Sequence, residues 1–578
     1  MMIEKIFAPI LTNVRFAFFM YVLGFISLFF IHMGGRHVSV FELVIDVYVL
    51  CWVLYLLPAK ISKFVKGLFY VIAYGLAIVD MFCYSRFGAP INSSFLRVCT
   101  ETNEREAIEA LGSYVTWQSI SFPLFLIFLL LIIQVLTAWW HPKWNIKCNF
   151  KRKVSPWVGV VFLLFCVAIS AKNKWFIYRN LVETKTGIDL ELATELPHDG
   201  GFYLPFYRLL YAWKGISLEE ENVEKLKCNI GKEKIDSCTY RSSNIILIIG
   251  EAYNRHHAQL YGYALPTTPR QMELANDSSL IAFTDVVAPY HQTSMVFRMA
   301  FSTYAYGQPK DWADYPLFPQ LFKRCGYQVT FITNQFVPSV AGDVFDFNGS
   351  VFLNDPDINQ SLFSHRNTHT HPYDMGVLED YDSLRVFQKQ HNLVIFHLLG
   401  QHIGYMERYP EAEKKFLPKD YQRPDLPEED IKELAYYDNA CLYNDKVVGE
   451  IIQLFKDQDA IVIYMPDHGE MCYDNGTKIY GRTISVDTKD EIVQQFDIPF
   501  WIWASEYYRQ HHPEIWQQVK TARNRPFMTD NISQLLIYLA GISCPYYRDS
   551  DNLISPNYDV HRKRMLMNEI DYDKAIRK

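Results

Sequence analysis

The 578-residue chain contains no CxxC pair among its eleven cysteines, no internal repeat, no low-complexity tract and no long basic patch. Without a CxxC pair, a cysteine-built metal site is not expected. Without repeats or biased tracts, solenoid and disordered architectures are set aside. A net charge of -7 and the lack of a basic patch leave no ground for a nucleic-acid partner. No small-residue cleavage site follows the first apolar run, so that run reads as an anchor rather than a removed signal peptide.

What the chain has in excess is apolar and aromatic residues, 50% and 16% of the total. The excess is concentrated in the first 172 residues. Five stretches there approach membrane-spanning length, roughly Phe16–Met33, Phe41–Leu57, Gly67–Tyr84, Gln118–Trp139 and Pro156–Ala171. A helix needs about 20 residues to cross the hydrocarbon core. The second and fifth are short, with interruptions such as Asp46. Lys60, Lys63 and Lys66, and then Lys143, Lys147, Lys151, Arg152 and Lys153, mark two cytoplasmic loops. Five spans with the N-terminus inside place everything after about residue 172 outside the cytoplasm. Cys99 and the six cysteines from Cys228 onward then meet an oxidising compartment, and Cys228 and Cys238 are close enough in sequence to close a local loop.

These features divide the chain into a five-span membrane domain (1–172), a bridge (173–240) and a globular domain (241–578). A polar helical stretch near 92–111 is too charged to span and is expected against the outer membrane face. In the bridge, the aromatic and basic stretch Phe202–Trp213 suits either the headgroup zone or a helix packed on the globular domain. From 241 the pattern is α/β. Short apolar runs at 244–250, 328–333, 392–399, 460–465 and 498–503, bounded by Gly, Pro or Asn, read as buried strands. Helical stretches intervene, including Pro319–Cys325 and Leu434–Phe455.

Two of these strands end in potential metal ligands. Asn244–Ile249 runs into Gly250-Glu251, and Ala460–Met465 is followed by Asp467-His468-Gly469-Glu470. Chemistry in an open α/β sheet collects at the carboxyl ends of strands, and carboxylates with an imidazole suit zinc. A catalytic zinc keeps one position open. Thr293, between a strand-like run and the helix-like Met295–Phe301, is a candidate for it near a helix N-terminus; taken alone it also fits a simple N-cap. His365, His369 and His371 form a local cluster, read as a solvated loop.

Gly250-Glu251-Ala252-Tyr253-Asn254-Arg255, Leu260-Tyr261-Gly262-Tyr263 and Pro266-Thr267-Thr268-Pro269 resemble the signature of the bacterial phosphoethanolamine transferases, in the alkaline phosphatase/sulfatase superfamily. The Asp-His-Gly-Glu motif and the five-span front end also match. Gly481-Arg482 and Ile498–Trp503 look most like the branch that modifies the lipopolysaccharide core.

The resemblance implies an α/β alkaline-phosphatase-like catalytic domain in the periplasm, anchored in the inner membrane. It implies a zinc ion held by Glu251, Thr293, Asp467 and His468, with Thr293 as nucleophile and His402 handling the phosphate or leaving group. Asn334, Glu470 and Arg255 fall at positions expected to serve the substrate. The implied reaction moves phosphoethanolamine from phosphatidylethanolamine, through a phospho-threonine, to lipopolysaccharide core sugar or lipid A.

Departures exist. The polymyxin-resistance branch has a second histidine where this chain has Tyr480-Gly481, a lysine appears replaced near Pro338, and the cysteine spacing differs. Two other readings remain, a glycerol-phosphate transferase and a catalytically silent membrane scaffold. A sulfatase would carry Cys or Ser in a Cys/Ser-x-Pro-x-Arg context, which Thr293 lacks.

Overall fold

The computed structural model describes residues 2–31, 36–87, 90–91, 96, 121–140, 157–183, 204–335, 351–477, 480–482, 486 and 488–577. The expected interfacial helix near 92–111 lies outside the described residues. The chain forms two compact units, Met1–Glu220 and Glu221–Lys578. This division falls inside the stretch read as a bridge.

The first unit is helical: α1 (Met2–Thr12), α2 (Val14–Phe30), α3 (Arg36–Leu56), α4 (Ala59–Phe87), α5 (Phe122–Trp139), α6 (Trp157–Glu183) and the start of α7 (Pro205–Asn229). Among the described residues, three segments are long and apolar enough to cross a membrane: Ala59–Ser85, Phe122–Trp139 and Trp157–Arg179. A fourth is counted if α1 and α2, bent by 90° at Asn13, form one broken span. The sequence led us to expect five. The stretch expected as the second span lies in α3, whose carboxylates Glu42 and Asp46 are met from α6. Lys174 Nζ lies 3.3 Å from Glu42 and 2.8 Å from Asp46, and the Ser170 hydroxyl donates to Glu42 at 2.5 Å. α5 starts cleanly because Ser121 accepts from the Leu124 N–H and Pro123 fits the first turn.

Arg208, expected in an aromatic and basic surface, is turned inward. Its Nε and Nη2 meet the two oxygens of Asp80 on α4 at 3.0 and 2.5 Å, and both side chains are almost fully buried. The Ile91 N–H also donates to Asp80. A carboxylate in an apolar helix needs a partner, and the guanidinium fork satisfies both of its oxygens.

The second unit is built on a seven-stranded sheet. Its strands are β1 (Asn244–Gly250), β2 (Leu280–Phe283), β3 (Gln328–Thr333), β4 (His365–Arg366), β5 (Asn392–His397), β6 (Ala460–Pro466) and β7 (Phe500–Ala504), in the order β2-β7-β6-β1-β5-β3-β4. β6, β1, β5, β3 and β4 are parallel, while β7 runs antiparallel to β6 and β2. Ile245 through Ile249 are wholly buried because helices cover both faces, which is why β1 reads as an unbroken apolar run. α8 (Thr293–Phe301) precedes β3, and the 28-residue α9 (Glu428–Phe455) lies between β5 and β6. Glu428, Glu429 and Asp430 stand in the first turn of α9, where its dipole favours negative charge.

The segment after β1 is held by its own signature residues. Thr267 and Thr268 hydroxyls accept from the N–H groups of Gln259 and Leu260, and the Tyr261 hydroxyl bonds both the carbonyl and the N–H of Phe500 on β7.

Replacing Arg208 with Ala would leave Asp80 buried without its counter-charge. Losing one partner of a buried ion pair costs about 3–5 kcal/mol. The expected outcome is a marked fall in the thermal midpoint of the detergent-solubilised protein. An Arg208→Ala protein that melts with the wild type would show the pair to be dispensable.

Candidate active site

The parallel register sets Gly250 of β1 opposite Pro466 of β6. Each strand then delivers one acid past the sheet edge, Glu251 and Asp467. Three bonds join the two ends: Asp467 N–H to Gly250 O at 3.0 Å, Tyr253 N–H to His468 O at 2.8 Å and Ala252 N–H to Asp467 Oδ1 at 3.0 Å. Ala252 adopts φ +51°, an uncommon conformation for a residue with a Cβ. Here the backbone is over-determined from both sides.

His468 points Nδ1 at the Gly469 carbonyl, 2.7 Å away, so that nitrogen carries the proton. Nε2 therefore offers its lone pair to the site. It stands 3.3 Å from Glu251 and 3.2 Å from Asp467. Thr293 is the first residue of α8, with Gln292 as the N-cap. Its Oγ1 lies 3.2 and 3.4 Å from the Glu251 oxygens and 3.5 Å from His468 Nε2.

Glu251, Asp467 and His468 are fully buried, and Asp467 Oδ2 has no hydrogen-bond partner. The separations are wider than the about 2.7–2.8 Å of a good O–H···O bond. They match the edges of a tetrahedron around an ion with bonds of about 2.0–2.1 Å, which sets its ligand atoms about 3.3–3.4 Å apart. Two carboxylates, an imidazole lone pair and a hydroxyl can therefore hold a small tetrahedral cation.

Burial opposes ionisation of Glu251, but His468, His402 and Arg482 outweigh it and hold its carboxyl below the usual range. Burial, reinforced by the Glu251 charge, raises Asp467 instead. Glu470 is also raised by burial. The Tyr405 hydroxyl donates to its Oε1 at 2.7 Å; among the described residues Oε2 accepts no hydrogen bond, and Arg482 Nε stands 3.9 Å from it.

His402 lies on the loop after β5. Gly400 seats this loop: φ is +50°, and a Cβ there would sit 2.9 Å from Glu251 N. The Gln401 N–H donates to the Glu251 carbonyl at 3.2 Å. Burial lowers the His402 pKa, so its imidazole is neutral near pH 7.

Two residues singled out from the sequence are engaged elsewhere. Asn334 donates to Asp374 at 2.9 Å and accepts from the His371 N–H at 2.6 Å. Arg255 donates to the Thr284 carbonyl and to Asp497, each at 2.7 Å.

Two residues without a predicted role do reach the site. Gln335 Nε2 donates to Glu251 Oε2 at 3.0 Å and to the Leu398 carbonyl at 2.8 Å. Arg482 Nη1 lies 3.1 Å from His468 Nε2 and 3.2 Å from the His291 carbonyl. Gln335 follows the end of β3, so the strand-end rule that found Glu251 could have found it. Arg482 follows the Asp-His-Gly-Glu motif at a distance no spacing rule reads.

Fold and site together define an α/β domain of the sulfatase type, with side chains at its strand ends that could hold a metal ion. The sulfatase family model matches residues 243–539, and the chain belongs to the sulfatase family. It is 27% identical over 536 residues to phosphoethanolamine transferase EptC of Escherichia coli strain K12, covering 90% of this chain and 88% of that one. The resemblance read from the sequence thus extends along most of the chain. The periplasmic domain of E. coli EptC, solved as a complex with Zn, superposes with a TM-score of 0.50 at 29% identity, covering 59% of this chain and 95% of that one. The integral membrane protein EptA of Neisseria meningitidis shares the fold at a TM-score of 0.52 and 18% identity, covering 95% and 97%.

The raised Asp467 carboxyl sets the sign of a pH dependence. Without metal it holds a proton more tightly than an ordinary aspartate, and a cation must displace that proton. Affinity should fall as pH drops from about 8 to about 6, with protons released on binding. Calorimetry in two buffers of different ionisation enthalpy reads the release. A pH-independent affinity without release would contradict the arrangement.

Proposed function

We propose that the chain is a zinc-dependent phosphoethanolamine transferase. It would take phosphoethanolamine from phosphatidylethanolamine and deliver it to a lipopolysaccharide acceptor, core sugar or lipid A. The observation that supports this best is the four-cornered ligand set in which one corner is the Thr293 hydroxyl. The likeness to the phosphoethanolamine transferases supplies the substrate class.

In this reading Glu251, Thr293, Asp467 and His468 would hold zinc, which would supply Lewis-acid charge to the reaction. Thr293 Oγ1 forms a bond to phosphorus, and the phosphorus–oxygen bond to diacylglycerol breaks. Neutral His402 takes a proton and returns it to the departing oxygen. The product of this half is phosphoethanolamine esterified to Thr293. An acceptor oxygen then attacks phosphorus while His402 takes its proton, and Thr293 is regenerated. Arg482, beside His468 and 3.9 Å from Glu470, offsets carboxylate charge, and the Glu470 carboxylate suits the ammonium of ethanolamine. Gln335 fixes Glu251. Arg255 and Asn334 act as positioning residues, because their polar atoms are committed to Asp497, Thr284, Asp374 and His371.

The remainder of the proposal is location: five spans in a bacterial inner membrane and the catalytic unit in the periplasm. Lys174 and Ser170 support α3 as one of the five, because one ammonium shared by both acids and a hydroxyl on Glu42 lower the cost of the charges that count against it.

Incubation of the detergent-purified chain with zinc and phosphatidylethanolamine should add one phosphoethanolamine to its intact mass, mapped to the Thr293 peptide. Thr293→Ala should show none. An adduct from phosphatidylglycerol and not from phosphatidylethanolamine would replace this proposal with a glycerol-phosphate transferase.

A further inference from the structure

A second group of ligating side chains stands outside the centre described above, where the sequence favours a solvated histidine loop over an extra metal site. His369, His371 and Asp380 bring one ligand atom each within 4.8 Å of one another. His371 Nε2 lies 3.0 Å from Asp380 Oδ2 and His369 Nε2 lies 3.5 Å from Asp380 Oδ1. The two imidazoles stand side by side, with centroids 4.7 Å apart, and aim at opposite oxygens of one carboxylate. His365 is not part of the group, because its ring stacks on Phe387.

Hydrogen bonding alone explains this poorly. The His369 separation is beyond the range of a good N–H···O bond. The carboxylate is also fixed as metal carboxylates are. Asp380 is buried, and Asn367 Nδ2 donates to its Oδ2 at 2.8 Å while facing the Thr333 and His369 carbonyls. His371 sits in a tailored seat, since a Cβ on Gly376 would fall 2.1 Å from its ring. His369 is mostly exposed, which leaves a route in and a corner open to solvent.

The geometry points to a second divalent transition-metal site, formed by His369, His371 and Asp380 and completed by water. Two imidazoles and one carboxylate suit zinc or a neighbouring first-row ion and disfavour calcium or magnesium. The site is wired to the first. The His371 N–H donates to Asn334, Asn334 donates to Asp374, and Asp374 accepts from the N–H groups of Leu399 and Gly400. Gly400 packs on Glu251. A bound ion would therefore hold the loop that carries His402, a positioning role rather than a chemical one.

The test is equilibrium dialysis of the full chain in detergent against Zn2+, with Co2+ absorption as a second readout. Wild type should bind two ions, and Asp467→Asn should lose the tighter one. His369→Ala, an exposed change with little folding risk, should weaken the second ion by about tenfold or more and keep the first. Asp380→Asn should do the same. Co2+ in the weaker site should give a spectrum that His369→Ala removes. A wild-type chain that binds one ion, or a His369→Ala chain that binds two with unchanged affinity and spectrum, would overturn the proposal.

Discussion

The second unit is organised by a concentration of negative charge that it must neutralise. Glu251, Asp467 and Glu470 are at most 1% exposed. Burying even one unpaired carboxylate is costly enough that the group ordinarily takes a proton instead. Here the raised Asp467 and the depressed Glu251 show that burden divided unevenly, with His468 close to both and Arg482 acting on Glu251. The sheet supplies the rigidity this requires. Two adjacent parallel strands in fixed register bring the acids together, and backbone bonds from Ala252, Tyr253 and Asp467 lock the ends. A looser scaffold would let the carboxylates separate and the site would be lost.

That constraint explains how much of the site was legible in the sequence. Glu251, Asp467 and His468 follow apolar runs directly, and a strand end is where a parallel sheet exposes its chemistry. The strands at 244–250 and 328–333 also follow from apolar runs with clear boundaries. The antiparallel direction of β7 did not, because a short buried run has no direction in its composition. β4 is two residues long and carries no pattern to read. Gln335 carried no expected role, and Arg482 only a likeness to one branch of the family, for a related reason: each reaches the site by a side-chain path set in three dimensions. The number of membrane crossings met a different limit. α3 carries two acids whose cost depends on Lys174 and Ser170, more than a hundred residues away in sequence.

The family signature divides into chemistry and scaffold. Glu251 belongs to the ligand set. Arg255, Tyr261, Thr267 and Thr268 bond mainly to backbone or to a buried aspartate and fix the segment that leaves β1. His257, in the same segment, is buried between Asp438 and Asp474, which overcome the burial penalty and raise it to about 10. This ion pair ties the loop to α9 through Asp438. A motif that identifies a family thus includes residues whose polar atoms are committed to holding the scaffold. Reading each of them as catalytic would overcount the site.

The same charge reasoning bears on which headgroup the proposed site accepts. Three carboxylates stand around the ligand set, and one divalent ion with one guanidinium would balance them. A phosphodiester adds one negative charge, and His402, neutral near pH 7, does not offset it. Ethanolamine brings its own ammonium, so its headgroup enters without net charge. The Glu470 oxygen that accepts no hydrogen bond can receive that ammonium. A glycerol headgroup has no cation and would leave the added charge uncompensated in a buried setting, where the penalty is largest. In the proposed reading the Glu470 carboxylate would favour the headgroup that carries a positive charge.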